Sequence, residues 1–183
     1  MKILALLATG FEDLEALGTI ALLRRANITV DICAADNNSF IIGNYHIKVE
    51  ADLKLSDVNI DDYDGLLLPG GQVENLAKEK NVLEIVKTVV SNNKLLACIC
   101  AAPSIPGALG LLENKKFTCF PGYESLCKNG IHEDKAVVVD ENLITAKACG
   151  CVYEFTYEIV KKLKGEPDAK KLVESIYFPG NLS

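Results

Sequence analysis

Lys94-Leu95-Leu96-Ala97-Cys98-Ile99-Cys100-Ala101-Ala102-Pro103 decides the fold. An apolar run of strand length leads directly into small residues that open a helix, with a cysteine at the joint. A strand that turns at once into a helix holds the residue at the turn in a strained backbone conformation and aims its side chain out of the sheet. Small residues two before and two after such a nucleophile elbow relieve the crowding, and here they are Cys98 and Ala102. The free N–H groups of the helix would face the sulfur and favour thiolate, so Cys100 is predicted to titrate below the ordinary value of about 8.5. The plainer alternative is a buried thiol serving as a small hydrophobe, the usual fate of a free cysteine.

The alternation of apolar runs and helical stretches extends both ways from this joint. Lys2–Ala8 reads as a buried strand and Glu12–Asn27 as a helix, with Leu14, Leu17, Ile20, Ala21 and Leu23 apolar and Arg24 and Arg25 in the last turn, where the helix dipole favours cations. Ile28–Ala34 is a second strand, and Ser39–Ile42 with His46–Glu50 forms a hairpin around Gly43-Asn44. Gly65–Leu68 is a buried strand ending at Pro69-Gly70-Gly71, followed by a helix over Val82–Asn92. Beyond the elbow come a short helix to Leu109, a strand near Phe117–Phe120, strands near Ala136–Val139 and Leu143–Lys147, and helices over Val152–Leu163 and Asp168–Ile176. Strands separated by helices in this way imply an α/β, doubly wound, mostly parallel sheet with helices on both faces. Ligands of such sheets bind beyond the carboxyl ends of the strands, which directs attention to Thr9-Gly10, Gly70-Gly71 and Cys100.

Composition narrows the function. At 183 residues the chain is read as one domain, 1–183, large enough to bury its own core. A net charge of −6, with 25 acids against 19 bases, leaves little to neutralise a phosphate backbone, so nucleic acid is not the expected partner. No segment has the length of a membrane span or the form of a signal peptide. Seven cysteines, an odd number, then fit reduced thiols in a cytoplasmic protein.

Two further elements complete a candidate site. Glycines at Gly70-Gly71 let a backbone approach a ligand and turn its N–H groups inward, as an oxyanion pocket requires, although a Gly-Gly at a strand end is more often only a turn. Glu15 lies on the first turns of the first helix, with Glu12 and Asp13. Acids are favoured there for dipole reasons alone, so Glu15 by itself carries no signal.

Together, Thr9-Gly10-Phe11-Glu12-Asp13-Leu14-Glu15, Leu68-Pro69-Gly70-Gly71 and Ile99-Cys100-Ala101-Ala102-Pro103 resemble the ThiJ/PfpI superfamily, in the branch of the parkinsonism-associated protein and its bacterial ThiJ-like relatives. The resemblance runs from Ile3 to about Leu163 and implies a flavodoxin-like sheet, a homodimer and no cofactor. It makes Cys100 the elbow nucleophile and Glu15 the carboxyl that meets it, with Gly70, Gly71 and the N–H of Ala101 forming an anion pocket. A protonated Glu15 can donate a hydrogen bond to a thiolate, whereas an ionised one opposes it.

The sequence also departs from the family. Phe120-Pro121 stands where many relatives carry histidine and proline, and Ala101 stands where the protease-like branch has histidine, so a Cys–His couple for amide hydrolysis has no base. Lys147 through Gly150 replace the arginine, glycine, proline and glycine usual there. That loop brings Lys147 and Cys149 into consideration as pocket residues beside Phe120, and Cys149 or Cys151 as a resolving thiol for an oxidised Cys100. Zinc on Cys98, Cys100, Cys149 and Cys151 would consume the nucleophile, and no metal site is expected. The leading expectation is a glyoxalase or deglycase acting on a small reactive carbonyl such as methylglyoxal or glyoxal, or on their early adducts. The alternative is a redox sensor or redox-responsive chaperone using the same cysteine; a thiazole- or thiamin-related enzyme and a peptidase stand lower.

Overall fold

The computed structural model describes residues 1–180. β1 (Lys2–Leu7) leads to a π-helical turn (Leu14–Gly18) that continues as α1 (Thr19–Arg25). β2 (Thr29–Ala34), the hairpin of β3 (Phe40–Ile42) and β4 (Lys48–Glu50), and β5 (Leu53–Lys54) follow. Next come β6 (Gly65–Leu68), α2 (Glu74–Ala77), α3 (Lys80–Ser91) and β7 (Leu95–Ile99). The remainder comprises α4 (Ser104–Ala108), β8 (Lys116–Phe117), β9 (Ile131–His132), β10 (Val137–Asp140), β11 (Leu143–Ala146), α5 (Val152–Lys164) and α6 (Glu166–Ser175).

Among the described residues, seven strands form one sheet in the order β10-β11-β7-β6-β1-β2-β5. Every pair in it is parallel except β10 with β11. Alternation within the buried strands separates two cores. Ile3, Ala5, Leu7, Leu67, Ala97 and Ile99 pack toward α1, α5 and α6, while Leu4, Leu6, Leu66, Leu68, Leu96 and Cys98 pack on the other face with Val82, Val86 and Val89 of α3. The β6 run Gly-Leu-Leu-Leu is apolar at each side-chain position because both faces are covered.

The chain winds from β1 toward β2 and β5 in one direction and from β6 toward β7 and β11 in the other. The reversal lies between β1 and β6. A doubly wound sheet opens its crevice at such a switch point, outside the carboxyl ends of the strands. Here the backbone is stitched across it: Phe11 bridges Gly71, Glu12 N–H donates to the Gly70 carbonyl at 3.0 Å, and Gln72 N–H donates to the Gly10 carbonyl at 2.8 Å.

Two local expectations change. The segment expected as a strand over Phe117–Phe120 extends only over Lys116–Phe117 and pairs with β9 in a separate small sheet. From Thr118 the backbone is claimed by other partners: Thr118 N–H donates to the Thr145 hydroxyl at 2.9 Å and Phe120 N–H to the Cys100 carbonyl at 2.8 Å. The first helix opens with the π-turn rather than regular α-helix, and α2 was not foreseen. Arg24 and Arg25, read from the sequence as dipole-favoured cations, also make specific bonds within the chain. Arg24 donates to the Val30 carbonyl at 2.7 Å and pairs with Asp52, and Arg25 donates to the Ser175 carbonyl at 2.7 Å.

Candidate active site

Cys100 adopts φ +64°, the left-handed region an elbow requires and one that few residues other than glycine tolerate. The strain is held from both sides. Cys100 N–H donates to the Ala146 carbonyl of β11 at 2.9 Å, and its own carbonyl accepts from Phe120. The half-buried side chain packs between the two cores.

Glu15 reaches this sulfur from the π-turn. The extra residue in a π-turn rotates the side chains that follow it, a device frequent at functional sites. The turn is anchored at its entry, where Glu15 N–H donates to the Glu12 carboxylate at 2.7 Å. Asp13 fixes the same entry to the β3–β4 hairpin by accepting from the N–H groups of Tyr45, at 2.9 Å, and Ile47, at 3.2 Å. The Glu15 carboxyl is 1% exposed, hydrogen-bonded to the Cys100 thiol, and accepts from Gly70 N–H at 2.9 Å and from Cys149 N–H.

The expected anion pocket divides its donors. Gly70 N–H is committed to Glu15, while the N–H groups of Gly71 and Ala101 address the Cys100 sulfur. Both glycines are needed for close approach. A Cβ on Gly70 would lie 2.5 Å from the Glu15 carboxyl and 2.6 Å from the Cys100 Cβ; one on Gly71, at φ +92°, would lie 2.3 Å from the Gly10 carbonyl oxygen.

Burial, reinforced by the nearby charge of Glu12, raises the Glu15 carboxyl to about 7. Burial and the Glu15 carboxylate push the Cys100 thiol up to about 12, against the pull of the Ala101 and Gly71 N–H groups. The depressed thiol expected from the sequence is thus reversed, because burial of the sulfur and the facing carboxylate outweigh the N–H groups at the elbow. The two groups titrate as a pair. Above pH 7 they share one proton, and the thiolate exists as the partner of a protonated Glu15.

The remaining expected residues separate. Phe120 touches the elbow through its backbone, and its side chain is exposed. Lys147 forms an ion pair with Asp134. Cys149 is exposed and meets the site through its N–H, with its thiol raised by burial and by the charges of Glu12 and Glu15. Cys98 is wholly buried, and the four cysteines weighed for zinc do not gather as a ligand group among the described residues. His46 sits in the hairpin turn, and His132 lies with Cys119 and Glu124. Sequence reasoning missed the Glu12 anchor and the Cys149 N–H; Glu12, three residues before Glu15, is the kind of spacing that could have pointed to a helix-entry contact.

An α/β sheet with a cysteine elbow at the carboxyl end of β7, next to the switch-point strand β6, met by a buried carboxyl, defines a class of cysteine-centred α/β-fold proteins. The chain belongs to the DJ-1/PfpI family, whose model matches residues 1–162. It is 34% identical to deglycase PfpI of Pyrococcus furiosus over 90% of this chain and the whole of that protein. It is 29% identical to protein dj-1beta of Drosophila melanogaster, over 97% of both. Identity to DJ-1 homolog B of Arabidopsis thaliana is 33% over 93% of this chain, which spans 40% of that longer protein. Among solved structures, a DJ-1 superfamily protein from Salmonella typhimurium superposes with a TM-score of 0.93 at 32% identity, over 98% of this chain and 99% of the other. Among the described residues no helix is long and apolar enough to cross a membrane.

Proposed function

We propose that this protein is a cysteine-dependent glyoxalase or deglycase that needs no cofactor and acts on methylglyoxal, glyoxal or their early adducts. The observation that carries this reading is the hydrogen-bonded pair of Cys100 and Glu15, with a carboxyl that titrates near 7. Several relatives are named deglycases, which supports the reaction class.

In the proposed reaction the Cys100 thiolate adds to the aldehyde carbon, and the new alkoxide lies beside the N–H groups of Gly71 and Ala101 before taking the Glu15 proton. The Glu15 carboxylate then removes the hydrogen from that carbon to give an enediol, and returns it to the adjacent carbon while the hydroxyl proton passes from the first oxygen to the second, leaving a 2-hydroxy thioester. Water hydrolyses the thioester, restoring the thiol and releasing a 2-hydroxy acid. A group poised near the operating pH suits both proton transfers. The test is steady-state turnover of methylglyoxal to lactate by purified, metal-free protein; no turnover above that of a Cys100→Ser variant overturns the reading.

A second reading has its own support. A neighbour with a TM-score of 0.93 at 25% identity is the oxidised form of Toxoplasma gondii DJ-1. In this chain peroxide would convert Cys100 to a sulfinate that accepts a hydrogen bond from protonated Glu15. Family membership also makes a homodimer part of the proposal. Leu14, 54% exposed at the start of the turn that carries Glu15, offers apolar surface for it.

A further inference from the structure

A second set of ligand atoms lies in the segment between β8 and β10, apart from Cys100 and Glu15. One donor atom each from Cys119, Glu124 and His132 lies within 4.8 Å of the others. The Cys119 thiol is buried, Glu124 half-buried and His132 exposed, so the group opens to solvent on one side. Each side chain is oriented by a neighbour outside the group. Gly122 N–H donates to the Glu124 carboxylate at 2.7 Å, and the His132 ring lies against Phe117 with centroids 5.4 Å apart. Cys119 is hydrogen-bonded to the thiol of Cys127, which itself lies 3.5 Å from the Pro103 carbonyl. Core packing accounts for two buried thiols; it does not account for an imidazole and a carboxylate converging on one of them.

A thiolate, an imidazole and a carboxylate within mutual reach form the donor set of a borderline-soft, tetrahedral divalent ion. Ligand atoms around zinc sit about 3.5 Å apart, given metal–ligand bonds of about 2.0–2.3 Å. Closing the group by about 1 Å requires movement only of the two side chains that reach solvent. We propose that Cys119, Glu124 and His132 bind a zinc-class divalent cation, with water in the fourth position and Cys127 hydrogen-bonded to the bound sulfur. On binding, the Cys119 S–H bond breaks, its proton passes to solvent and a sulfur–metal bond forms. The ion would also steady the elbow, since Phe120 beside Cys119 donates to the Cys100 carbonyl and Cys127 abuts Pro103.

Titration of reduced, metal-free full chain with Co²⁺, followed by Zn²⁺, tests the assignment. One equivalent of Co²⁺ should bind with thiolate-to-cobalt charge-transfer absorption and be displaced by Zn²⁺. That absorption should survive Cys100→Ser and vanish in Cys119→Ser. His132→Ala and Glu124→Gln, both on side chains that reach solvent, should each weaken binding at least about tenfold, since even outer-shell changes cost that much. The proposal is overturned by an absence of thiolate absorption at a large excess of Co²⁺, by absorption that disappears with Cys100→Ser, or by affinities unchanged in the His132 and Glu124 variants. The two surface variants keep the test decisive should Cys119→Ser not fold.

Discussion

Gly70 N–H donates to the Glu15 carboxylate at 2.9 Å, so the backbone at the end of β6 sets the position of the acid rather than serving the sulfur. The donors left to the sulfur belong to Gly71 and Ala101. The carboxyl therefore has little freedom except to exchange a proton with Cys100, and the first three predictions follow from that constraint.

Glu15→Gln preserves a hydrogen-bond donor toward the sulfur but cannot take up and return a proton. General acid–base residues typically contribute about 10²–10⁴-fold. The variant should fold, still react at Cys100 with iodoacetamide, and lose at least about a hundredfold in methylglyoxal turnover. Near-normal turnover would assign the proton transfer to another group.

Stability should carry the imprint of the raised carboxyl. Folded Glu15 keeps its proton up to about pH 7, while the unfolded chain releases it near the ordinary 4.5. Between those values the folded state binds the extra proton, so this contribution is fully present below about pH 4.5 and is lost as pH rises through 7, amounting to about 3 kcal/mol at most. Urea unfolding of wild type and Glu15→Gln at pH 5 and pH 8 measures it. The variant's stability relative to wild type should rise with pH; a difference independent of pH contradicts the raised value.

Alkylation of Cys100 should accelerate with pH through a midpoint near 7, set by the pair's first proton loss, and that inflection should disappear in Glu15→Gln. Stopped-flow alkylation across pH 5–9 checks this. A midpoint far below 7 would restore the depressed thiol that the sequence alone suggested.

Gly71→Ala should be strongly destabilising. The residue sits at φ +92° with a carbonyl oxygen 2.3 Å from where the methyl would go. Backbone strain alone costs about 1–3 kcal/mol, and the clash adds to it. A denaturation midpoint equal to wild type would mean that the Gly10–Gly71 crossing relaxes easily.

Light scattering at micromolar concentration should report a homodimer, and Leu14→Glu should shift it toward monomer. A wild-type monomer refutes the assembly.

The sheet and the elbow were legible in the sequence because both rest on local pattern: buried apolar runs, and a cysteine where a strand meets small residues. The pairing of Glu15 with Cys100 entered through family resemblance, since three acids at a helix start look alike whichever of them turns inward. The π-turn that carries Glu15 is held by the tertiary contact of Asp13 with the hairpin, which no periodicity encodes, besides the local contact of Glu12. Lys147 looked like a pocket residue by its place after β11, yet an acid outside that loop, Asp134, holds it. The direction of the Cys100 shift was misread for a related reason: dipole arguments see the helix but neither the burial of the sulfur nor the carboxylate opposite it.

β1, β6 and β7 lie in the middle of the sheet, whereas β5 and β10 are its outer strands and β3 and β4 form a separate two-stranded hairpin. Amide hydrogens in central strands exchange with solvent only through openings that approach global unfolding, while edge segments open far more often. Cys100 N–H, tied to β11, belongs to the slow class, and the Tyr45 and Ile47 amides that hold Asp13 belong to the fast one. Cys100 thus stands on the part of the molecule expected to open last, while Glu15 is braced from a part expected to open more often.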